Sequence, residues 1–225
     1  MRNGKMSKQV DTADTDRFLM ALADGMGGHN NGEIASAEAL SNLRFFFSDL
    51  PTALDPEQFS QFMKQWLGSI NHIFVSKGLA DQSCHDMGTT LVGLAYYDHH
   101  FFSMNCGDSR LYRLRDGKME QLTTDHSLSN RLGMDKHTSL ITNCIGAGCK
   151  HSFIDIGVIS TTPGDEKTLQ PGDSILLCSD GLTDMISDEE IASIITQGFD
   201  ADALCQAAED AGGYDNISAI VARIS

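Results

Sequence analysis

The stretch TTLVGLAYYDHHFFSMNCGDSRLYRLRDGKMEQL, residues 89–122, decides the fold class. It divides into four short runs rich in strand-forming residues: Thr89 to Tyr97, His100 to Asn105, Arg110 to Leu114 and Lys118 to Leu122. β-Branched and aromatic side chains suit a pleated, buried surface, and the Asp116-Gly117 pair between the last two runs is a strong hairpin signal. Working outward, Phe153 to Ile159, Ser174 to Cys178 and Asn216 to Ala222 predict three further strands. Phe18 to Ala23 predicts a buried strand that stops at the Asp24-Gly25 turn.

Helical spacing appears only on either side of this block. From Gly32 to Leu50, Ala37, Leu40, Leu43 and Phe47 recur at the period of a helix. Asp55-Pro56-Glu57-Gln58 is a helix start, with an acid to cap the first N–H groups and a proline where its missing N–H costs nothing. Phe59, Phe62, Met63, Trp66, Leu67, Ile70 and Phe74 then form one stripe, which reads as core. Ser187-Asp188-Glu189-Glu190 is a capping box opening a helix with Ile191, Ile194 and Ile195, and Ala201 to Ala211 predicts another. Helices set apart from a run of consecutive strands argue for an α+β chain with antiparallel sheets rather than a doubly wound parallel fold.

The chain has 225 residues, 41% hydrophobic and 21% charged, the composition of an ordinary globular protein. Its 16 Lys and Arg against 31 Asp and Glu give a net charge of −15. Such a surface repels phosphate backbones and anionic lipids, so neither nucleic acid nor membrane is expected as a partner. No apolar run approaches the ~20 residues of a membrane span, and the charged N-terminus has no apolar signal core. Cys84, Cys106, Cys144, Cys149, Cys178 and Cys205 are scattered without a C-x-x-C pair. Reduced thiols and a cytoplasmic location are expected.

Four acids sit beside Gly, Ser or Asn at strand ends: Asp24 in ADGMGGH (23–29), Asp108 in GDSR (107–110), Asp180 in SDG (179–181) and Asp215 in GGYDN (212–216). One Asp-Gly pair is ordinarily a turn. Several carboxylates gathered at the rim of a sheet stack repel each other unless a divalent cation lies between them, and oxygen ligands favour Mg²⁺ or Mn²⁺ over zinc. The motif order, completed by Met87-Gly88-Thr89-Thr90 and Thr124-Asp125-His126-Ser127, resembles the metal-dependent protein phosphatases, the protein phosphatase 2C family in its bacterial form.

The resemblance runs from residue 18 to 225. It implies one catalytic domain, folded as a four-layer α-β-β-α sandwich of two antiparallel sheets flanked by helices. It implies two Mn²⁺ or Mg²⁺ ions, with Asp24 bridging both, the Gly25 carbonyl on one, and Asp180 and Asp215 on the other. Asp108, with Asp180, would hold an additional ion. The implied reaction is hydrolysis of phosphoserine and phosphothreonine in proteins by a water bridging two ions about 3.5–4 Å apart, with no phosphoenzyme. A Ser/Thr kinase is the implied counterpart. Met87–Thr90 and Thr124–Ser127 are expected to act as structural supports, and His126 as a satisfied structural histidine.

Three departures from the family pattern stand out. Where the family has R-x-x-N-[EQ]-D, residues 6–11 read MSKQVD. Asp11 falls where the last acid belongs, Val10 replaces the acid or amide before it, and the arginine is missing, leaving Arg2, Lys5 or Lys8 as stand-ins. Residues 1–16 thus read as diverged or truncated. The position often held by the histidine proposed to protonate the leaving alkoxide is Met26, which leaves His29 as a candidate acid or as a cap of the following helix. The flap segment 128–141 is short, and the stretch after it reads TNCIG (142–146) without the family's arginine. An open site with altered substrate choice is expected. The alternative to an active enzyme is a catalytically weak or inactive relative that binds a phosphoprotein or a kinase as a regulator.

Overall fold

The computed structural model describes residues 15–26, 31–134, 140–160, 165, 168–198 and 200–225. Asp11, His29 and the stand-in cations Arg2, Lys5 and Lys8 lie outside them. The chain begins with β1 (Arg17–Leu22) and β2 (Gly25–Met26), followed by helices α1 (Asn31–Ser48) and α2 (Pro56–Ala80). After a single helical turn at Gln82–Cys84 come β3 (Gly88–Thr89), β4 (Leu91–Tyr97), β5 (His100–Cys106), β6 (Arg110–Arg115) and β7 (Lys118–Gln121). The short α3 (Leu128–Leu132) and β8 (Ile145–Gly146) precede β9 (Asp155–Ile159) and β10 (Ser174–Cys178). Then come α4 (Asp180–Thr183), α5 (Asp188–Gly198), α6 (Ala201–Asp210) and β11 (Ala219–Arg223).

Two four-stranded antiparallel sheets result, ordered β1-β4-β5-β9 and β11-β10-β6-β7, with a small third sheet β2-β3-β8. Side-chain alternation along the strands explains why they stack. On β4, Leu91, Ala95 and Tyr97 join Phe102 and Met104 of β5 under α1 and α2. The intervening Val92 and Leu94 pack instead with Leu111 of β6 and Ile175 and Leu177 of β10. On the far face of the second sheet, Tyr112, Leu176 and Cys178 meet Ile191, Ile195, Leu204 and Ala208 of α5 and α6. The order helix, sheet, sheet, helix is therefore the four-layer sandwich, and β4 and β10 are buried along their whole length because both faces are covered.

The capping box at Asp55 forms in full, and the one at Ser187 forms through its serine. The Asp55 carboxylate accepts from the Gln58 N–H (2.8 Å) and the Gln58 side chain accepts from the Asp55 N–H (3.0 Å), so two of the free N–H groups at the start of α2 are satisfied. The Ser187 hydroxyl accepts from the Glu190 N–H ahead of α5. Asp116 (φ 50°) and Gly117 (φ 76°) turn the β6–β7 hairpin in the left-handed region. All six cysteines are free. Among the described residues no helix is long and apolar enough to cross a membrane.

The structure corrects the reading in places. Ala35 and Ala39, rather than Ala37, line the buried face of α1 with Leu43 and Phe47, while Ala37 is exposed. The strand expected from Thr89 to Tyr97 is split at Thr90, which turns its polar groups to Asp24. The strand expected from Phe153 starts at Asp155, since the N–H and C=O of Phe153 bond the Asn143 side chain. The last strand starts at Ala219, because residues 216–218 are engaged with Ser179.

Where β6 meets the second sheet's outer loop, the Arg115 guanidinium grips buried Asp173 through two 2.7 Å bonds. Burial opposes ionisation of Asp173, but the Arg115 bonds and the Gln170 N–H outweigh it and hold the carboxyl below its usual range. A depressed carboxyl stabilises the fold above the unfolded-state pKa of about 3.9, and that contribution is lost as pH falls through the lower folded value. Asp173→Asn is expected to cost about 1–2 kcal/mol at pH 7 and to flatten the acid limb of stability. Urea melts between pH 2 and 7 measure both, and an unchanged acid limb would count against the pair.

Candidate metal centre

The strand registers carry the four acids to one end of the sandwich. Leu22 pairs with Val92 and Leu91 with Cys106, so Asp24 just beyond β1 and Asp108 just beyond β5 leave the first sheet at the same end. Cys178 pairs with both Arg110 and Ala219, so Asp180 just beyond β10 and Asp215 just before β11 lie at that same end of the second sheet.

Hydroxyl groups set the backbones on which the acids stand. The Thr90 hydroxyl accepts from the Asp24 N–H (3.0 Å), the Thr89 hydroxyl donates to the Asp24 carbonyl (2.8 Å), and the Thr90 N–H donates there too (2.8 Å). Thr90 also bonds Ser109 (2.7 Å), tying the Asp24 loop to the Asp108 loop. On the other sheet, Ser179 donates its N–H to the Ser218 carbonyl and its hydroxyl to the Asn216 carbonyl, and accepts from the Ser218 N–H. This lashes the Asp180 loop to the Asp215 loop. Met87–Thr90 is thus a support, as expected. In the 124–127 motif, Asp125 takes three bonds of 2.7–3.0 Å from the Arg110 guanidinium, which fixes the Gly-Asp-Ser-Arg turn.

The acids feel one another. Asp24 is pushed up to about 7, first by burial and then by the charge of Asp180, a hydrogen bond with it, and the charges of Asp215 and Asp108. Asp108 is also pushed up to about 7, by burial and by Asp180. Asp180 is raised by burial, with Asp184 and Asp215 adding to the push and the bond from Asp24 opposing it. Asp215 is exposed, and its carboxylate accepts a bond from the Asn216 N–H (2.7 Å). Asp184, one helical turn beyond Asp180, is a fifth acid that the sequence reading missed. Its signal was available in the i, i+4 spacing Asp180-x-x-x-Asp184.

Among the described residues no three acids, histidines or cysteines form a finished metal cage. The chemistry of the set nonetheless suits hard divalent cations. Every donor of the four acids is oxygen, and the guanidinium of Arg110, two residues beyond Asp108, is engaged by Asp125. One carboxylate oxygen of Asp180 is buried without any hydrogen-bond partner. A buried, unpartnered carboxylate oxygen is costly unless a cation reaches it. Close backbone approach completes the geometry. A Cβ at Gly25 would run into the Gly32 carbonyl, and one at Gly181 into the Asn216 carbonyl.

Gly181→Ala must therefore push the 215–216 loop away from Asp180. A displacement near 1 Å is expected to lower turnover by about 100-fold while leaving the protein folded. Mn²⁺ affinity by calorimetry should fall in parallel, and unchanged affinity with unchanged turnover would contradict this placement.

The model of the family described as protein phosphatase 2C matches residues 7–211. The chain belongs to the protein phosphatase 2C family. It is 34% identical over 216 residues to protein phosphatase PhpP of Streptococcus pneumoniae strain D39, covering 90% of this chain and 84% of that one. It is 30% identical over 210 residues to serine/threonine phosphatase stp of Listeria monocytogenes strain EGD-e, covering 90% and 83%. Among solved structures, serine/threonine phosphatase Stp1 of Staphylococcus aureus superposes with TM-score 0.79 at 30% identity, over 94% of this chain and 85% of that one. The catalytic domain of PstP, solved in complex with two manganese ions, superposes with TM-score 0.71 at 27% identity, over 96% and 94%. As a protein phosphatase of this family, the chain is a hydrolase that acts on phosphoproteins and depends on divalent metal.

Proposed function

We propose that this phosphatase hydrolyses phosphoserine and phosphothreonine in proteins, using two Mn²⁺ or Mg²⁺ ions and a third at Asp108. The observation that carries the reading is the buried, unpartnered oxygen of Asp180 set among three other carboxylates, two of them raised to about 7. Asp24 would bridge the two ions, the Gly25 carbonyl would complete one of them, and Asp180 and Asp215 would hold the other. Asp108 with Asp180 would hold the third. Bound there, the ions supply positive charge for a phosphate dianion and a water acidic enough to be a nucleophile at neutral pH.

The rest is the work of the chain itself. The Thr89, Thr90 and Ser179 hydroxyls hold the carboxylate backbones in place before substrate arrives, so little reorganisation is left for the reaction. Arg17, at the start of β1, is tied to the carbonyls of Phe47, Ser48 and Leu50 and so supports the fold rather than the phosphate. Asp11 as an additional ligand and His29 as general acid enter the proposal from the sequence alone. So do a single catalytic domain over residues 1–225 with a diverged or truncated N-terminus and a short flap, a cytoplasmic location and a cognate Ser/Thr kinase.

Hydrolysis of p-nitrophenyl phosphate and of a phosphothreonine peptide, with Mn²⁺, with Mg²⁺ and with EDTA, tests the reading. Turnover should fall by about a thousandfold or more in EDTA and return with metal. A folded protein that binds Mn²⁺ and turns over neither substrate would instead be a regulator that binds phosphoproteins or a kinase.

A further inference from the structure

His126 is buried, titratable and outside the acid cluster, yet its bonds converge on the residue beside Asp108. Its own N–H donates to the Gly107 carbonyl (2.9 Å), which also accepts from the Asn105 amide (3.2 Å). The Gly107 N–H in turn donates to His126 Nδ1 (3.1 Å). Both peptide groups of Gly107 are therefore held from one side. From the other side, a Cβ on Gly107 (φ 124°) would meet the Thr90 side chain at 2.7 Å, and Thr90 is the residue that holds Asp24.

The same bonds decide where the imidazole proton sits. Asn143 Nδ2 faces His126 Nδ1 at 2.8 Å. The Asn143 amide cannot be turned over, because its Nδ2 donates to the Phe153 carbonyl (2.8 Å) and its Oδ1 accepts from the Phe153 N–H (3.1 Å). Two donors thus point at Nδ1, which must carry the lone pair, and the proton belongs on Nε2. Nε2 donates to Asp155 Oδ2 (3.0 Å) on the edge strand β9, and the Asp155 side chain is 62% exposed. The ring also packs against Phe153, with centroids 4.6 Å apart. The chain of contacts runs from a solvent-facing carboxylate through a single tautomer to the backbone that aims Asp108.

We propose that His126, held as the Nε2–H tautomer by Asp155 and Asn143, is a positioning residue for Asp108 and sets the affinity of the ion that Asp108 holds, touching neither ion nor substrate. This rests on the reading of Asp108 as the ligand of a third ion. A residue that orients a ligand typically governs affinity by about 10–100-fold, even without contacting the metal.

The experiment combines Mn²⁺ titration calorimetry with ¹⁵N-histidine NMR of the metal-free protein, neither of which reads activity. Asp108→Asn is expected to delete the weakest Mn²⁺ binding event. His126→Gln, which loses the acceptor facing Gly107, is expected to weaken that event by about 10–100-fold and leave the tighter events unchanged. His126→Asn places an amide oxygen where Nδ1 stands and is expected to restore affinity to within a few-fold. Asp155→Asn, a surface change that does not threaten folding, should weaken the same event. The wild-type spectrum should show the Nε2–H tautomer at His126. A proton on Nδ1 overturns the proposal, as does a wild-type third event in His126→Gln when Asp108→Asn has lost it. If Asp108→Asn keeps every event, the reading of Asp108 as a ligand fails and the proposal falls with it.

Discussion

Asp24→Asn is expected to lower turnover by about a thousandfold or more, roughly 4 kcal/mol of transition-state stabilisation, and to make the ion-free protein more stable. The two effects have one cause. Asp24 stands where burial and the charges of Asp180, Asp215 and Asp108 push its carboxyl up to about 7. In the unfolded chain the same carboxyl ionises near 3.9. Between those values the folded state binds the proton more tightly, so without ions stability declines as pH rises from about 4 to about 7. An asparagine has no charge to repel its neighbours, and the ion-free variant should gain on the order of 1 kcal/mol at pH 7.5 and lose part of that decline. Thermal melts in EDTA and in Mn²⁺ give the comparison. Wild-type protein should be stabilised by Mn²⁺ far more than the variant, since an ion that binds only the folded state adds to its stability. A variant that is both inactive and less stable in EDTA would mean that Asp24 serves the fold, and the reading of it as the bridging ligand would be withdrawn.

Arg110→Met is expected to destabilise the protein by about 3–5 kcal/mol, the largest stability effect anticipated for a single side chain here. The Arg110 and Asp125 side chains are 17% and 4% exposed and meet through three hydrogen bonds, with Tyr112 accepting a further one (3.0 Å) from the guanidinium. Methionine fills the volume of the stem but leaves Asp125 buried without the guanidinium that neutralises it. Arg110→Lys should recover only part of the loss, because an ammonium cannot repeat the forked geometry. The pair also has a functional reach: it fixes β6 at its first residue, two positions beyond Asp108. The double variant Arg110→Met with Asp125→Leu should regain most of the stability, since both charges are then gone, but not the turnover. Urea denaturation of the wild type, Arg110→Met, Asp125→Leu and the double variant closes the cycle. If Arg110→Met alone costs under 1 kcal/mol, the pair is only a surface contact in effect.

Much of the fold is legible in the sequence. The strand runs at 89–122, the Asp116-Gly117 turn and the Asp55 capping box are local signals, set by propensity, backbone sterics and hydrogen bonds within a few residues. Strand ends were less legible. β4 starts after Thr90 and β11 starts only at Ala219 because Thr90 and Ser179 are taken up by partners far along the chain. No local rule contains those partners. The same limit explains the missed helical turn at Asp180–Thr183, which is too short for periodicity to register.

For the site, the sequence singles out four acids as candidates. Asp24, Asp108, Asp180 and Asp215 each carry a recognisable neighbourhood of Gly, Ser or Asn, and their order along the chain resembles one family. Their proximity is a product of the folded chain. Antiparallel register brings four loops, up to 191 residues apart between Asp24 and Asp215, to one end of the sandwich. Burial and that proximity raise the carboxyl groups of Asp24, Asp108 and Asp180, place Asp184 beside them and leave an oxygen of Asp180 buried without a partner. It also gives His126 its place behind Gly107, through bonds to residues at 107, 143 and 155. A residue's type and its near neighbours are written along the chain. Its electrostatic surroundings are a sum over distances in space, and those exist only once the sheets have paired and stacked.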